Sequence, residues 1–336
     1  MSQIINMKGR RKELTSFLRR SIMMEIVDEY GGRQVLRMSS DFLLEKKLMD
    51  EAPELHQRVK NSVFVLQNML DAFLPRFPDY TDHSILHSLD VLNYSNLLLG
   101  QDQIGQLSTG ECYVLIMACY LHDTGMGVNQ KDYEEFSRQI AFGDYFETHD
   151  RAEVAVTIRD FHHEYSGLFI RKYADLLEIP AGDILFAIIQ VSRGHRRTDL
   201  LDEREYPDLM TEYGLIRTAY LAAVIRLADE IDVGADRNPE LLFDSSQLTR
   251  QKDIEAFGTH ESVRHVDVTA DSIILHVKPK TPEYVPLLEA LNGKIQRTLD
   301  YCRIVAQKRS GLRITQESSV LIYEEQAVPP DSYLSV

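Results

Sequence analysis

The feature of this sequence that most constrains the fold is an apolar segment at residues 112–121, which reads CYVLIMACYL. A helix that is apolar on every side is stable only where other elements surround it. The preceding residues 108–111, Ser-Thr-Gly-Glu, are typical of a helix start, and Gly125 is typical of a helix end. We therefore predict a helix at the centre of the hydrophobic core, followed directly by His122 and Asp123.

Helical spacing of apolar residues recurs over most of the first 240 residues. We interpret the following ranges as helices: 10–76, the residues from 82 onward, 131–141, 151–177, 183–192 and 211–231. Residues 203–210, which include Pro207, are interpreted as a loop. The sequence therefore predicts a mainly α fold whose main part is a helical bundle.

The pattern changes after Gly234. Residues 263–268 and 272–277 are rich in β-branched residues and predict a hairpin, residues 282–308 predict a long helix, and residues 311–314 and 318–324 predict two short strands. We therefore expect an N-terminal helical segment over residues 1–75, a helical domain over residues 76–240 and a small α/β region over residues 241–336.

The composition argues against several classes of protein. The chain has three cysteines and no CxxC pair, so we expect neither a disulfide framework nor a zinc knuckle. A net charge of -15 argues against binding of long nucleic acid, which usually requires a basic surface. No run approaches the roughly 18 consecutive apolar residues of a membrane helix, and the N-terminus does not resemble a secretory signal. We expect a cytoplasmic protein with no membrane partner.

Several potential metal ligands lie on or next to the predicted helices. His122 and Asp123 follow the central apolar helix, and Asp229 follows nearly twenty mostly apolar residues. A buried carboxylate is costly unless it is paired, and a metal ion is a suitable partner for it. Further imidazoles come from His87 on the preceding helix, from the pair at residues 162–163, and from His195.

This order of residues resembles the HD superfamily of metal-dependent phosphohydrolases. The matching segments are LHSLDV at residues 86–91, YLHDTGMG at 120–127 and RLADEID at 226–232. The resemblance covers roughly residues 80–235 and implies an HD-type helical bundle whose core metal ligands are His87, His122, Asp123 and Asp229. His162 and His195 resemble the extra ligands of members that hold two metals. Segments 80–91 and 158–170, with the trailing α/β region, are most similar to HD domains of bacterial conflict systems.

Two ligand positions have open alternatives. His83 lies one helical turn before His87, so both side chains could approach the site. We favour His87 because the residues after it fit the superfamily pattern better, although Asp90 stands where the family often has a basic residue. His163 competes with His162, which we favour because small residues follow it at the spacing seen in the family.

The resemblance implies hydrolysis of a phosphoester or phosphoanhydride of a nucleotide-like substrate by a metal-activated hydroxide. Mixed imidazole and carboxylate ligands suit one or two divalent ions per chain, drawn from Mn, Fe, Co, Ni, Zn and Mg. The candidate catalytic residues are Asp123, His122 and His195, and Asp123 is best suited to bridge two ions. The alternative function is a non-catalytic, metal-supported sensor of a phosphorylated ligand, which signals to a partner protein. A homo-oligomer is a further candidate arrangement.

Other charged and imidazole side chains have a structural interpretation beside a functional one. The basic segment at residues 192–197 could bind phosphate through Arg193 and Arg196, or could be a solvated loop paired with the acids at 199, 202, 203 and 205. Arg159 and Lys131 are further candidates for phosphate binding. The predicted hairpin carries His265 and His276, which we interpret as surface or structural residues.

Overall fold

Helices dominate the computed structural model of the chain, which describes residues 24–27, 34–37, 42–70, 85–151, 153–234 and 251–324. The α-helices are α1 (Leu43–Glu51), α2 (Pro53–Leu70), α3 (Ile85–Gln106), α4 (Thr109–Leu121), α5 (Gln130–Phe136), α6 (Tyr145–Thr148), α7 (Val154–Tyr173), α8 (Asp183–Arg193), α9 (Thr218–Ile231), α10 (Gln251–Ser262) and α11 (Val285–Arg309). Short 3-10 helices span Thr124–Gly127 and Pro282–Tyr284. The prediction of a mainly α fold is confirmed.

Strands form three small sheets among the described residues. β1 (Met24–Val27) pairs with β2 (Gln34–Arg37), and β3 (Asp208–Thr211) pairs with β4 (Gly214–Arg217), both antiparallel. The third sheet has the order β5 (Val263–Val268), β6 (Ser272–Val277) and β7 (Ser318–Tyr323). The β5–β6 pair is antiparallel, as the sequence predicts for a hairpin, whereas β7 runs parallel to β6.

Helix α4 lies at the centre of the core, as its apolar composition predicts. Its residues from Gly110 to Leu121 are all buried. It packs against α1, α2, α3 and α8, and α9 packs against α3, α8 and α11. A helix that is covered on every side needs no polar face, which explains why this segment has none. The ends of α3, α4 and α9 can therefore meet inside the bundle.

Three predicted elements are wrong in whole or in part. Strands occupy residues 24–27 and 34–37 within the stretch expected to be helical. The helix expected from residue 211 begins only at Thr218, because residues 208–217 form the β3–β4 hairpin. The turn of this hairpin requires a positive φ, which Gly214 adopts at +97°. Residues 311–314 form no strand; Leu312 and Ile314 are buried instead.

Helix α10 lies in a stretch to which the sequence analysis assigned no element. The proposed domain boundaries near residues 76 and 240 fall outside the described residues and stay a proposal. Within the described ranges, no helix combines the length and the apolar character needed to cross a lipid bilayer.

Candidate metal centre

Three helix ends bring the four core candidate ligands together in the interior. His87 lies in the first turn of α3, His122 and Asp123 follow α4 directly, and Asp229 lies in the last turn of α9. His87, His122 and Asp123 are at most 4% exposed, and the side chain of Asp229 is 17% exposed. These four side chains are therefore largely shielded from solvent, and Asp229 is the most exposed of them.

The first group of ligand atoms consists of His87, His122 and Asp229, and these atoms lie within 4.8 Å of one another. The Nε2 atoms of the two histidines are 3.1 Å apart. Asp229 Oδ1 lies 3.4 Å from His87 Nε2 and 3.8 Å from His122 Nε2. Asp123 Oδ2 faces the same point, 3.3 Å from His87 Nε2 and 3.5 Å from His122 Nε2.

The second group consists of Asp123, His162 and His195. His162 lies on α7, directly after a kink at Phe161, and His195 lies just after the end of α8. Asp123 Oδ1 is 3.3 Å from His162 Nε2 and 3.6 Å from His195 Nε2, and these two nitrogens are 2.8 Å apart. The two oxygens of Asp123 therefore face different groups.

Hydrogen bonds at Nδ1 orient three of the imidazoles. The Nδ1 atoms of His122, His162 and His195 contact the backbone carbonyl oxygens of Cys119, Arg159 and Ser192 at 2.9, 2.5 and 2.5 Å. A carbonyl oxygen only accepts, so Nδ1 must carry the proton in each ring. When such a ring is neutral, its Nε2 atom presents a lone pair to the centre of the site, which is the form that binds a metal.

His87 is oriented by a side chain that the sequence analysis did not single out. Its Nδ1 donates to Asp232 Oδ2 at 2.6 Å. A carboxylate behind a ligating histidine fixes the ring and makes Nε2 a better donor to a metal. The sequence signal was weak: Asp232 is an acidic residue three positions after Asp229, at the end of the same apolar helix.

The electrostatics of the site fit a cation. Burial lowers the pKa of His162 to about 3 and that of His195 well below its ordinary value, so both rings are neutral. Burial alone would raise the pKa of Asp229, but its contacts with His87 and His122 hold that pKa well below its usual range. Neutral rings at His162 and His195 and an ionised carboxylate at Asp229 thus belong to one buried cluster, and no hydrogen bond can join His162 Nε2 to His195 Nε2 when neither carries a proton. The buried cluster can bind a divalent metal, since a cation between these atoms removes the repulsion.

Gly125 allows α7, which carries His162, to pack closely against the His122–Asp123 segment. The Gly125 amide donates to Ser166 Oγ at 2.8 Å, and Ser166 Oγ donates to the carbonyl oxygen of His122 at 2.5 Å. A Cβ atom at Gly125 would lie 2.1 Å from the carbonyl oxygen of His162. Only glycine allows α7 to approach the His122–Asp123 segment this closely.

The remaining candidate residues lie around these two groups. His163 is buried but belongs to neither group, and its Nε2 lies 3.7 Å from Glu164 Oε1. His83, the alternative to His87, lies outside the described residues. The guanidinium of Arg193 forms ion pairs with Glu164 at 2.6 Å and Glu205 at 3.0 Å, so we leave it out of the phosphate-binding proposal. The other candidates for phosphate binding are Arg196, Arg159 and Lys131; the positive charge of Arg196 helps to lower the pKa of His162, after the larger effect of burial.

The role of Asp232 can be tested by Asp232→Asn, which keeps the size of the side chain and removes its charge. We expect affinity for Mn²⁺ to fall by about 10–100-fold, the usual cost of removing a partner that supports a metal ligand. Calorimetric titration of the metal-free protein with Mn²⁺ measures the change. Asp102→Asn, at an exposed position on the same helix as His87, is the control and should bind Mn²⁺ as the wild type does. Equal affinities in both variants would contradict the role of Asp232.

Comparison with known proteins identifies the family. No curated protein matches the chain. The model of the HD-CE family matches residues 77–309, which is more than half of the chain and includes every residue of both ligand groups. Because this match coincides with a buried His/Asp cluster that fits an HD metal site, the chain belongs to the HD-CE family of HD-type domains.

Proposed function

We propose that this protein is a metal-dependent phosphohydrolase that cleaves a phosphoester or phosphoanhydride bond of a small, nucleotide-like substrate. The family and the buried cluster support a metal-dependent function of the HD type. The observation that carries the proposal is the placement of Asp123, whose Oδ2 faces the first ligand group and whose Oδ1 faces the second. Two adjacent metal sites occur in several classes of enzyme, and phosphatases and nucleases are among them.

In this proposal, one ion is held by His87, His122, Asp123 and Asp229, and a second by Asp123, His162 and His195. Bound divalent ions would supply Lewis acidity toward phosphoryl oxygens and would lower the pKa of water toward neutrality. The native metal remains open among Mn, Fe, Co, Ni, Zn and Mg, although so many nitrogen ligands make Mg²⁺ the least suited of these.

The protein's own contribution is to hold the ligand atoms in place before substrate arrives. The Nδ1 hydrogen bonds fix the direction of each Nε2 lone pair, and the buried helix α4 gives His122 and Asp123 a rigid base. Ligands held in this way need little reorganisation during the reaction. In this proposal Arg196, whose charge acts on His162, attracts a phosphate group toward the second ligand group.

The net charge of the chain supports the proposal of a small substrate. The chain carries a net charge of -15, which opposes binding of a long polyanion but not of a small ligand in a local basic environment. A nucleotide therefore suits the site better than a nucleic acid chain. The setting that the resemblance implies, a bacterial conflict system in the cytoplasm, stays part of this proposal.

A second candidate function is sensing of a phosphorylated ligand without turnover. One contact favours it: α11 packs along α9, which carries Asp229, and Lys294 Nζ on α11 lies 2.7 Å from Glu230 Oε1, next to that ligand. Occupancy of the site could therefore be passed through α11 to a partner protein or a second copy of the chain.

Phosphate release from a panel of nucleotides with added Mn²⁺ distinguishes the two functions. Turnover of at least one nucleotide that disappears on chelation supports the hydrolase. Metal binding together with tight nucleotide binding, but no turnover on any phosphate ester, would overturn the hydrolase and support the sensor. Both readouts use the full chain and the same metal-loaded sample.

A matched pair of variants tests which of two neighbouring histidines serves the second ligand group. His162→Gln should lower the bound metal by one equivalent, because His162 Nε2 lies 3.3 Å from Asp123 Oδ1. His163→Gln should leave the metal content unchanged, because His163 belongs to neither group. Elemental analysis of the purified variants measures both. Loss of metal in His163→Gln alone would reverse the assignment.

A further inference from the structure

The outward face of the C-terminal sheet carries a third group of side chains that can bind a metal, His265, Asp267 and His276. Along β6, Ile273, Leu275 and Val277 are fully buried, so the residues between them point to the other face of the sheet. His276 is one of these, and His265 lies directly opposite it on β5. Asp267 lies two residues beyond His265, so that its side chain returns to the same face. The side chains of His265, Asp267 and His276 are 53%, 57% and 22% exposed.

The three side chains lie close together. The rings of His265 and His276 are stacked, with centroids 4.0 Å apart and planes inclined by 12°. Asp267 Oδ2 lies 3.1 Å from His276 Nε2 and 3.7 Å from His265 Nε2. One ligand atom from each residue lies within 4.8 Å of the other two.

A hydrogen bond to Asp267 accounts for the position of His276 but not for that of His265. His276 Nε2 and Asp267 Oδ2 are within hydrogen-bond distance, but 3.7 Å is too long for a hydrogen bond from His265 to the same oxygen. Ligands bound to a tetrahedral Zn²⁺ at about 2.0–2.1 Å lie about 3.4 Å from one another. The two observed separations of 3.1 and 3.7 Å lie on either side of that value.

We propose that His265, Asp267 and His276 form a surface site for a divalent transition-metal ion such as Zn²⁺, separate from the buried centre. Two imidazole nitrogens and one carboxylate oxygen are a donor set that Zn²⁺, Co²⁺, Ni²⁺ and Cu²⁺ accept and Mg²⁺ does not favour. Three protein ligands leave one tetrahedral position open to water or to a ligand from another molecule. The pairing of β5 with β6 places the two histidines opposite each other, so little order must be gained on binding.

The site is independent of the proposed phosphohydrolase function. It shares no residue with the buried ligand groups, and it lies on a different sheet face from the core. A test therefore has to read out these histidines individually and must not rely on enzymatic activity.

Chemical modification of histidine by diethyl pyrocarbonate, mapped by mass spectrometry of peptides from the full chain, gives such a readout. With Zn²⁺ at about ten times its Kd, modification of His265 and His276 should be slower by about tenfold, because about one site in ten remains free. Mg²⁺ at the same concentration should give no protection. His149, which is exposed and lies outside all three ligand groups, should be modified at the same rate throughout.

Asp267→Asn and Asp271→Asn form the matched pair for this test. Asp267→Asn removes a ligand and should abolish most of the protection by Zn²⁺, whereas Asp271→Asn, in the exposed turn of the same hairpin, should keep it. Equal modification of wild-type His265 and His276 with and without Zn²⁺ would overturn the site. Full protection in Asp267→Asn would overturn the three-ligand arrangement.

Discussion

Replacing Asp123 by asparagine is expected to remove bound metal from both ligand groups and to lower nucleotide hydrolysis by more than about 100-fold. Loss of a residue that only supports a metal ligand costs about 10–100-fold, and a carboxylate that contacts both groups should cost more. Oδ2 of Asp123 lies 3.3 Å from His87 Nε2, and Oδ1 lies 3.3 Å from His162 Nε2. An amide offers only one oxygen and carries no charge, so it cannot serve both sides.

The experiment measures metal by elemental analysis and phosphate release with added Mn²⁺, on wild type and variant purified in parallel. Asp144→Asn is the matched control, since Asp144 is exposed and belongs to neither ligand group, and it should behave as the wild type does. A variant at Asp123 that keeps two metal equivalents would refute the shared-carboxylate arrangement. Retained metal at one position only would show that Asp123 serves a single ion.

The largest expected effect on stability comes from Glu111→Ala. Glu111 is fully buried at the start of α4, and its carboxylate accepts hydrogen bonds from the Arg217 guanidinium at 2.7 and 2.6 Å and from the backbone N–H groups of Arg217 and Ser108 at 3.0 and 2.8 Å. Removing one partner of a buried ion pair leaves the other charge without compensation, which typically costs about 3–5 kcal/mol. The free energy of unfolding should fall by about that amount.

Urea unfolding followed by circular dichroism measures this loss as a shift of the midpoint. Glu135→Ala is the comparison, because Glu135 pairs with Lys172 at 2.6 Å but is 45% exposed. An exposed pair contributes about 0–1 kcal/mol, so this variant should unfold close to the wild type. Similar midpoints for Glu111→Ala and Glu135→Ala would contradict the expected role of burial.

Part of the fold and of the candidate site could be predicted from the sequence because the relevant signals are local or come from single segments. An apolar run without a polar face predicts a central helix, and α4 is buried along its length. Alternation of β-branched residues predicts the β5–β6 hairpin. The six favoured candidate ligands were proposed because their order along the chain resembles that of the HD superfamily, and the structure brings all six into the two buried groups. The predicted loop and helix were wrong at residues 208–217, which form a hairpin. Arg217, directly before the start of α9, contacts Glu111, which is 106 positions away, and a local sequence pattern cannot show such a contact.

What the sequence by itself determined is which segments must be buried and which side chains can bind a metal. Only the tertiary structure decided which atoms meet: that Asp232 contacts His87 across 145 positions of the chain, that the two oxygens of Asp123 face different ligand groups, and that Asp267 lies near two stacked histidines of a hairpin. The physical reason is that periodicity encodes the face on which a residue lies. The distance between residues on different elements depends on how those elements pack, and packing is a property of the whole fold.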